Sequence, residues 1–252
     1  MQFVCCESVD CIDANTIECE SPARPLGTWE IFVTEELPNW VALKYGALVD
    51  PSNLVLTGIS MGGYGTLKIG LKNPERFKAI APMEPAIMPI LEFPKEPHKR
   101  NSWWTAQSIY ENVWGKPFKS EKFLADNPAN IAVNNAKRIR ESGLDIYLEV
   151  GDEDFIQLQD GTEFLHRIFW DNDIRHEYHL VRWADHVGLS LYDRTIEAHA
   201  FLAASLVPCK SEASTSIVSI VVSIVVSLLF LQASWLHLQP QFKPSIFWIS
   251  PS

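Results

Sequence analysis

The run Leu54-Val55-Leu56-Thr57-Gly58-Ile59-Ser60-Met61-Gly62-Gly63-Tyr64-Gly65 constrains this chain more than any other stretch. A β-branched apolar segment feeds into Gly58-Ile59-Ser60-Met61-Gly62, and the helical pattern Thr66-Leu67-Lys68-Ile69-Gly70-Leu71 follows directly. A G-x-S-x-G turn between a buried strand and a helix forces its serine into a strained backbone and turns the hydroxyl outward at the sheet edge. Gly58 and Gly62 are expected where a Cβ would strike the neighbouring strand or helix. The helix beginning after Ser60 aims its positive end and its unpaired N–H groups, those of Met61 and Gly62, at the place where an oxyanion would form.

A serine hydroxyl is a weak nucleophile near neutral pH. It needs a base within hydrogen-bond reach and an anion behind the base to hold its tautomer. In strand–helix proteins built on this elbow the order along the chain is Ser, acid, His, each on a loop after a later strand. The predicted strand 145–150 ends in Gly151-Asp152-Glu153-Asp154-Phe155. Asp154 lies far enough past Gly151 to turn back over the sheet edge. Asp152 leaves the strand earlier and is the alternative, while Asp160 reads as the cap of the next helix. The predicted strand 177–182 leads into Trp183-Ala184-Asp185-His186-Val187-Gly188, which places His186 on the loop where a base belongs. His166, His176 and His179 fall on a helix and around a strand, where they have plainer explanations.

The remaining pattern frames these loops. Residues 28–45 have helical periodicity with Pro38 as a kink, and the helix after Ser60 should stop at Asn73-Pro74. A strand is expected at 77–83, helices at 130–140, 159–170 and 189–206, and a short strand at 2–8. Strands alternating with helices imply a mainly parallel sheet covered on both faces, over a domain spanning 21–207. Residues 84–125 interrupt the rhythm with prolines and then aromatics (Trp103, Trp104, Tyr110, Trp114, Phe118). That composition suits either a pocket-forming insertion or a segment with its own small core.

Composition excludes some chemistries. With 31 acidic against 21 basic side chains and a formal charge of −10, the chain is no candidate for nucleic acid, whose phosphates demand a basic face. Cys5, Cys6, Cys11 and Cys19 lack the paired C-x2-C hooks of a zinc site, and no metal, phosphate-loop or cofactor motif appears. Met1-Gln2-Phe3-Val4 passes at once to polar and acidic residues, so no signal peptide is expected.

Beyond 208 the chain changes character. Residues 213–238 carry no Asp, Glu, Lys or Arg, and Ser219, Ser223 and Ser227 recur at i, i+4 within an apolar run. If helical, 217–238 is long enough to cross a bilayer, so the tail is expected as a candidate membrane anchor and the localisation as cytoplasmic or membrane-tethered. An aggregation-prone β-rich tail is the competing expectation.

Taken together, Gly27-Thr28-Trp29-Glu30 with Glu35-Glu36-Leu37-Pro38, the elbow at 58–65, Asn73-Pro74-Glu75-Arg76-Phe77, the 151–155 loop and Asp185-His186 resemble one branch of the α/β-hydrolases. It is the esterase branch that contains S-formylglutathione hydrolases, feruloyl-type esterases and mycolyltransferases, and the resemblance covers roughly 20–207. It implies an α/β-hydrolase fold, Ser60 as nucleophile, Asp154 as acid, His186 as base, Met61 N–H as an oxyanion donor, and a small ester or thioester substrate. Acyl transfer on the same three residues, or an inactive module, are the alternatives. The sequence departs from the branch at its front, where early strands and the loop bearing a second oxyanion donor are expected to be missing. Gly27 or the 1–20 segment would have to supply that donor, and loss of one donor typically costs about 100- to 1,000-fold in rate.

Overall fold

The computed structural model describes residues 2–5, 29–46, 50–92, 114, 116–206 and 220–224. At its centre four parallel strands lie in chain order: β2 (Leu54–Ile59), β3 (Ala79–Met83), β4 (Asp145–Gly151) and β5 (Glu177–Val181). Val55 pairs with Ala79, Ala79 with Asp145, and Tyr147 with Glu177. Consecutive parallel strands need right-handed crossovers, and when the order advances in one direction all crossover helices fall on one face.

That rule accounts for the core. The helices α2 (Leu37–Tyr45), α3 (Met61–Lys72), α5 (Pro128–Ser142) and α6 (Leu158–Asp171) contribute to one continuous cluster. From the strands the same cluster takes alternate residues: Leu54 and Leu56, Ile80, Ile146 and Leu148. The intervening residues Val55, Ala79, Ala81, Met83 and Tyr147 face the other side, where α7 (Ser190–Leu206) covers them with Ala198, Leu202 and Leu206. Both faces of β2 and β3 are therefore buried, which is why these strands read as near-continuous apolar runs.

The helix predicted at 28–45 is a short α1 (Trp29–Ile31), a π-helical stretch Phe32–Glu36, and α2. Pro38 has no N–H to give to the turn behind it. The carbonyl of Thr34 instead accepts from the Arg76 guanidinium, joining this helix to the Asn73-Pro74-Glu75-Arg76 turn.

The 84–125 segment is only partly described, and Trp103, Trp104 and Tyr110 lie outside the described residues. What is described includes a helix the periodicity missed, α4 (Ser120–Asp126). Trp114, Phe123 and Ile90 pack with Tyr64, four positions past the elbow serine, as a separate small core. Asp126 pins it down, accepting from Lys72 at 2.8 Å and from Trp114 Nε1 at 3.3 Å, with buried Lys68 3.0 Å away.

The apolar tail corrects an expectation. Ile220–Ile224 forms a strand, β6, parallel to β2, and β1 (Gln2–Cys5) runs parallel to β6. Ile-Val-Val-Ser-Ile is dominated by β-branched residues that favour a pleated backbone over a helix. The β2 side of the sheet, where early strands are expected to be missing, is thus occupied. No helix among the described residues is long and apolar enough to cross a membrane. The rest of 217–238 lies outside the described residues.

Candidate active site

The C-terminal ends of the parallel strands bring three predicted residues together. Ser60 follows β2 with φ 59 and ψ −115, a conformation outside the ordinary regions for a side-chain-bearing residue. Such strain costs about 1–3 kcal/mol and persists only when surrounding contacts over-determine it. Here the Ser60 N–H donates to the Met83 carbonyl at 2.9 Å. Its own carbonyl accepts from the amides of Tyr64 at 3.0 Å and Ala86 at 3.2 Å. A close approach that demands glycine occurs at Gly63, where a Cβ would lie 2.6 Å from the Met83 oxygen and 3.0 Å from Pro85 Cα. Met61 opens α3 and Gly62 follows it, so both N–H groups belong to the first turn, which has no acceptor within the helix.

His186 sits on the loop after β5 and is fully buried. Its Nε2 is 3.1 Å from Ser60 Oγ and its Nδ1 is 2.8 Å from Asp154 Oδ2. Asp154 follows β4, is 3% exposed, and uses its second oxygen to accept the Ile156 amide at 2.6 Å. The loops are interlocked. Asp185 Oδ1 accepts the amides of His186 at 2.6 Å and Phe155 at 3.2 Å, and the Glu153 amide donates to the Ala184 carbonyl at 3.0 Å. Gly151 makes that approach feasible, since a Cβ there would lie 2.2 Å from the Ala184 oxygen.

Asp152, the alternative acid, instead accepts the Trp183 amide at 2.6 Å and braces the β5 loop. Asp160 is not a cap. It lies in the first turn of α6, behind an N-cap at Gln157, where a carboxylate still suits the helix dipole. Gly27 and residues 6–28 lie outside the described residues. His166 and His176 are 2.7 Å apart beside a cleft lined by Asp145, Trp170 and Glu177. Asp145 and Glu177 begin β4 and β5, so this cleft lies at the opposite edge of the sheet from Ser60.

Three buried residues behind His186 escaped the sequence pattern or were read only as part of an element. Glu84, the residue after β3, is wholly buried with φ 45, and its Oε2 lies 2.6 Å from His186 Nδ1. Arg194 of α7 pairs with Glu84 Oε1, meets Glu149 Oε1 at 2.6 Å, and donates to the Asp185 carbonyl at 2.9 Å. Glu149 lies in β4, and the Glu84 amide donates to its carbonyl at 2.8 Å. Burial pushes the Glu149 carboxyl up to about 8, Glu197 and Asp154 add to the rise, and His186 opposes it. Burial also brings Arg194 down to about 10, so it remains a cation near neutral pH. The one detectable signal was Glu149 itself, an acid inside the apolar strand Asp-Ile-Tyr-Leu-Glu-Val-Gly.

Among the described residues, Glu84, Asp154 and His186 are the grouping whose ligand atoms lie within 4.8 Å of one another. Two carboxylates already converge on Nδ1 and Arg194 lies against Glu84, an arrangement that suits a shared proton better than an added cation.

An exposed aromatic side chain flanks His186. Phe155 is 52% exposed and meets the imidazole edge-on with centroids 5.8 Å apart. The site can therefore move a proton from Ser60 to a buried, anion-backed imidazole beside an exposed aromatic ring.

Comparison with known proteins agrees with this architecture. The rat (Rattus norvegicus) S-formylglutathione hydrolase is 38% identical over 60 residues, covering 24% of this chain and 21% of that protein. The chain thus spans about a fifth of the length of the curated relatives it matches first. A ferulic acid esterase superposes with a TM-score of 0.54 at 15% identity, over 73% of this chain and 63% of that one. The fluorophosphonate-binding serine hydrolase FphF of Staphylococcus aureus gives a TM-score of 0.51 at 18% identity, over 73% and 66% of the two chains. At these identities the two structures establish the shared fold. The family model described as "Putative esterase" matches residues 18–187, from before the first helix to the loop carrying His186, and the chain belongs to that esterase family.

Proposed function

We propose that this chain hydrolyses a small carboxylic ester or thioester through an acyl-enzyme on Ser60, with His186 as base and Asp154 as acid. The observation that carries this reading is the unbroken hydrogen-bond path from Ser60 Oγ through His186 to Asp154. Oγ attacks the substrate carbonyl carbon as Nε2 takes its proton, and the imidazolium so formed faces the Asp154 carboxylate. The oxyanion develops at the start of α3, where the Met61 and Gly62 amides and the helix dipole favour negative charge. Collapse breaks the bond to the leaving alcohol or thiol, which receives the proton from Nε2. Water then gives a proton to Nε2, attacks the acyl carbon, and the proton returns to Oγ as the carboxylic acid departs. The half-exposed Phe155 suits an apolar group on the substrate. Family membership and the name of the rat relative support ester or thioester chemistry.

A fluorophosphonate probe tests this directly. Covalent labelling of the folded protein that disappears in Ser60→Ala, with hydrolysis of p-nitrophenyl acetate lost in parallel, is the expected result. Folded protein that neither labels nor turns over would refute it.

A further inference from the structure

The surroundings of His186 contain more negative charge than one proton relay requires. Its Nδ1 meets Asp154 Oδ2 at 2.8 Å and Glu84 Oε2 at 2.6 Å, and all three side chains are at most 3% exposed. The N–H aligns on Asp154, whereas Glu84 Oε2 has no hydrogen-bond donor of its own. An orphaned buried carboxylate oxygen is costly, so something must fix it there. Two features do. Arg194, itself buried, grips the other oxygen of Glu84 and is anchored in turn by Glu149 and the Asp185 carbonyl. The backbone of Glu84 takes φ 45, which glycine would adopt freely and glutamate does not.

We propose that Glu84 is a second carboxylate for His186: a positioning residue, clamped by Arg194, that shares Nδ1–H with Asp154 and holds the imidazolium when Asp154 is absent. The proposal rests on the esterase reading for its kinetic consequence but not for its electrostatic one. No new bond forms. The proton that leaves Ser60 still travels to Nε2, and Glu84 acts on the charge the imidazole then carries. The arrangement also explains a charge balance. Glu84, Glu149 and Asp154 are buried near one fixed cation, Arg194, which pairs with Glu84 and Glu149 and leaves Asp154 to His186.

The experiment compares the wild-type protein, Asp154→Ala, Glu84→Gln and the double variant. Where one carboxylate serves a histidine alone, its loss costs about ten thousand-fold. Here Asp154→Ala should lose only about ten- to a hundred-fold in kcat/KM for p-nitrophenyl acetate, and adding Glu84→Gln should remove at least about a hundred-fold more. NMR titration of His186, assigned by the signal lost in His186→Gln, gives a readout independent of turnover. Each neighbouring carboxylate favours the imidazolium, so His186 in Asp154→Ala should titrate at least about one pH unit above its position in the double variant. If Glu84→Gln fails to fold, Glu84→Asp keeps the charge against Arg194 while withdrawing from Nδ1, and should behave the same way in the double variant. Equal titration in the single and double variants overturns the proposal, whether or not the protein turns over. An inactive, unlabelled wild type with separated titrations overturns the esterase reading and leaves Glu84 at His186.

Discussion

Asp154 binds His186 through Oδ2 at 2.8 Å while its Oδ1 is already committed to the Ile156 amide at 2.6 Å. The carboxylate therefore cannot rotate without losing a backbone partner. In Asp154→Asn the carbonyl oxygen would keep the Ile156 amide, and the NH2 group would face Nδ1. A donor there requires an unprotonated Nδ1, which puts the proton on Nε2 and blocks transfer from Ser60. Asp154→Asn should lose about ten thousand-fold in kcat/KM and fall below Asp154→Ala, as steady-state ester hydrolysis would reveal.

The elbow backbone gives a second prediction. Ser60 at φ 59 is strained for any residue with a Cβ, and glycine is not. Ser60→Gly and Ser60→Ala should both be inactive, yet Ser60→Gly should be the more stable by about 1 kcal/mol. At this size that is a difference of roughly 2–4 °C in thermal denaturation.

Glu149 makes stability fall with rising pH. Its folded-state value, raised to about 8 chiefly by burial, lies above the ordinary carboxylate value of 4.5. The folded protein thus holds a proton that the unfolded chain has released across that interval. The contribution is complete below the ordinary value and is lost as pH climbs through about 8. Glu149→Gln keeps an acceptor for Arg194 without the charge, so its melting temperature should vary less between pH 6 and 9 than the wild type's. Parallel slopes in the two proteins would contradict the assignment.

Asp126 neutralises a lysine that has no solvent. Lys68 is fully buried 3.0 Å from it, and burial holds the lysine below its usual range, with Asp126 opposing that shift. Removing one partner of a buried pair costs about 3–5 kcal/mol, because the other charge is left behind. Asp126→Asn should destabilise by that order in urea denaturation, and Lys68→Met in the same background should recover a substantial part.

Much of this fold was readable because its central strands β2, β3 and β4 are buried on both sides. The near-continuous apolar runs at Leu54–Ile59 and Ala79–Met83 and the helical period after Ser60 survive as sequence signals. The residues that meet at the strand ends were readable because each loop follows its strand in a fixed order. Other features had no such signature. The seven residues of α4 are too few to show a period, and its anchor depends on Asp126 meeting Lys68, Lys72 and Trp114 from other segments. Ile220–Ile224 could be read as a membrane helix because an apolar run without alternation looks alike in a buried strand and in a lipid-facing helix. Glu84 was invisible as a neighbour of His186 because their proximity exists only once β3 and the β5 loop are side by side. One residue past Gly62, at Gly63, a Cβ would meet the Met83 oxygen where α3 crosses the end of β3.

The hydrogen bond between Ser60 and His186 joins positions 126 residues apart. Contacts of such long sequence separation bear the full entropy of closing the intervening chain and tend to slow folding. On the proposed function, the reactivity of Ser60 is therefore a clock for folding. In a refolding experiment, labelling at Ser60 should lag behind the return of helical circular dichroism, reporting the moment when β2 and the loop beyond β5 are held in one sheet.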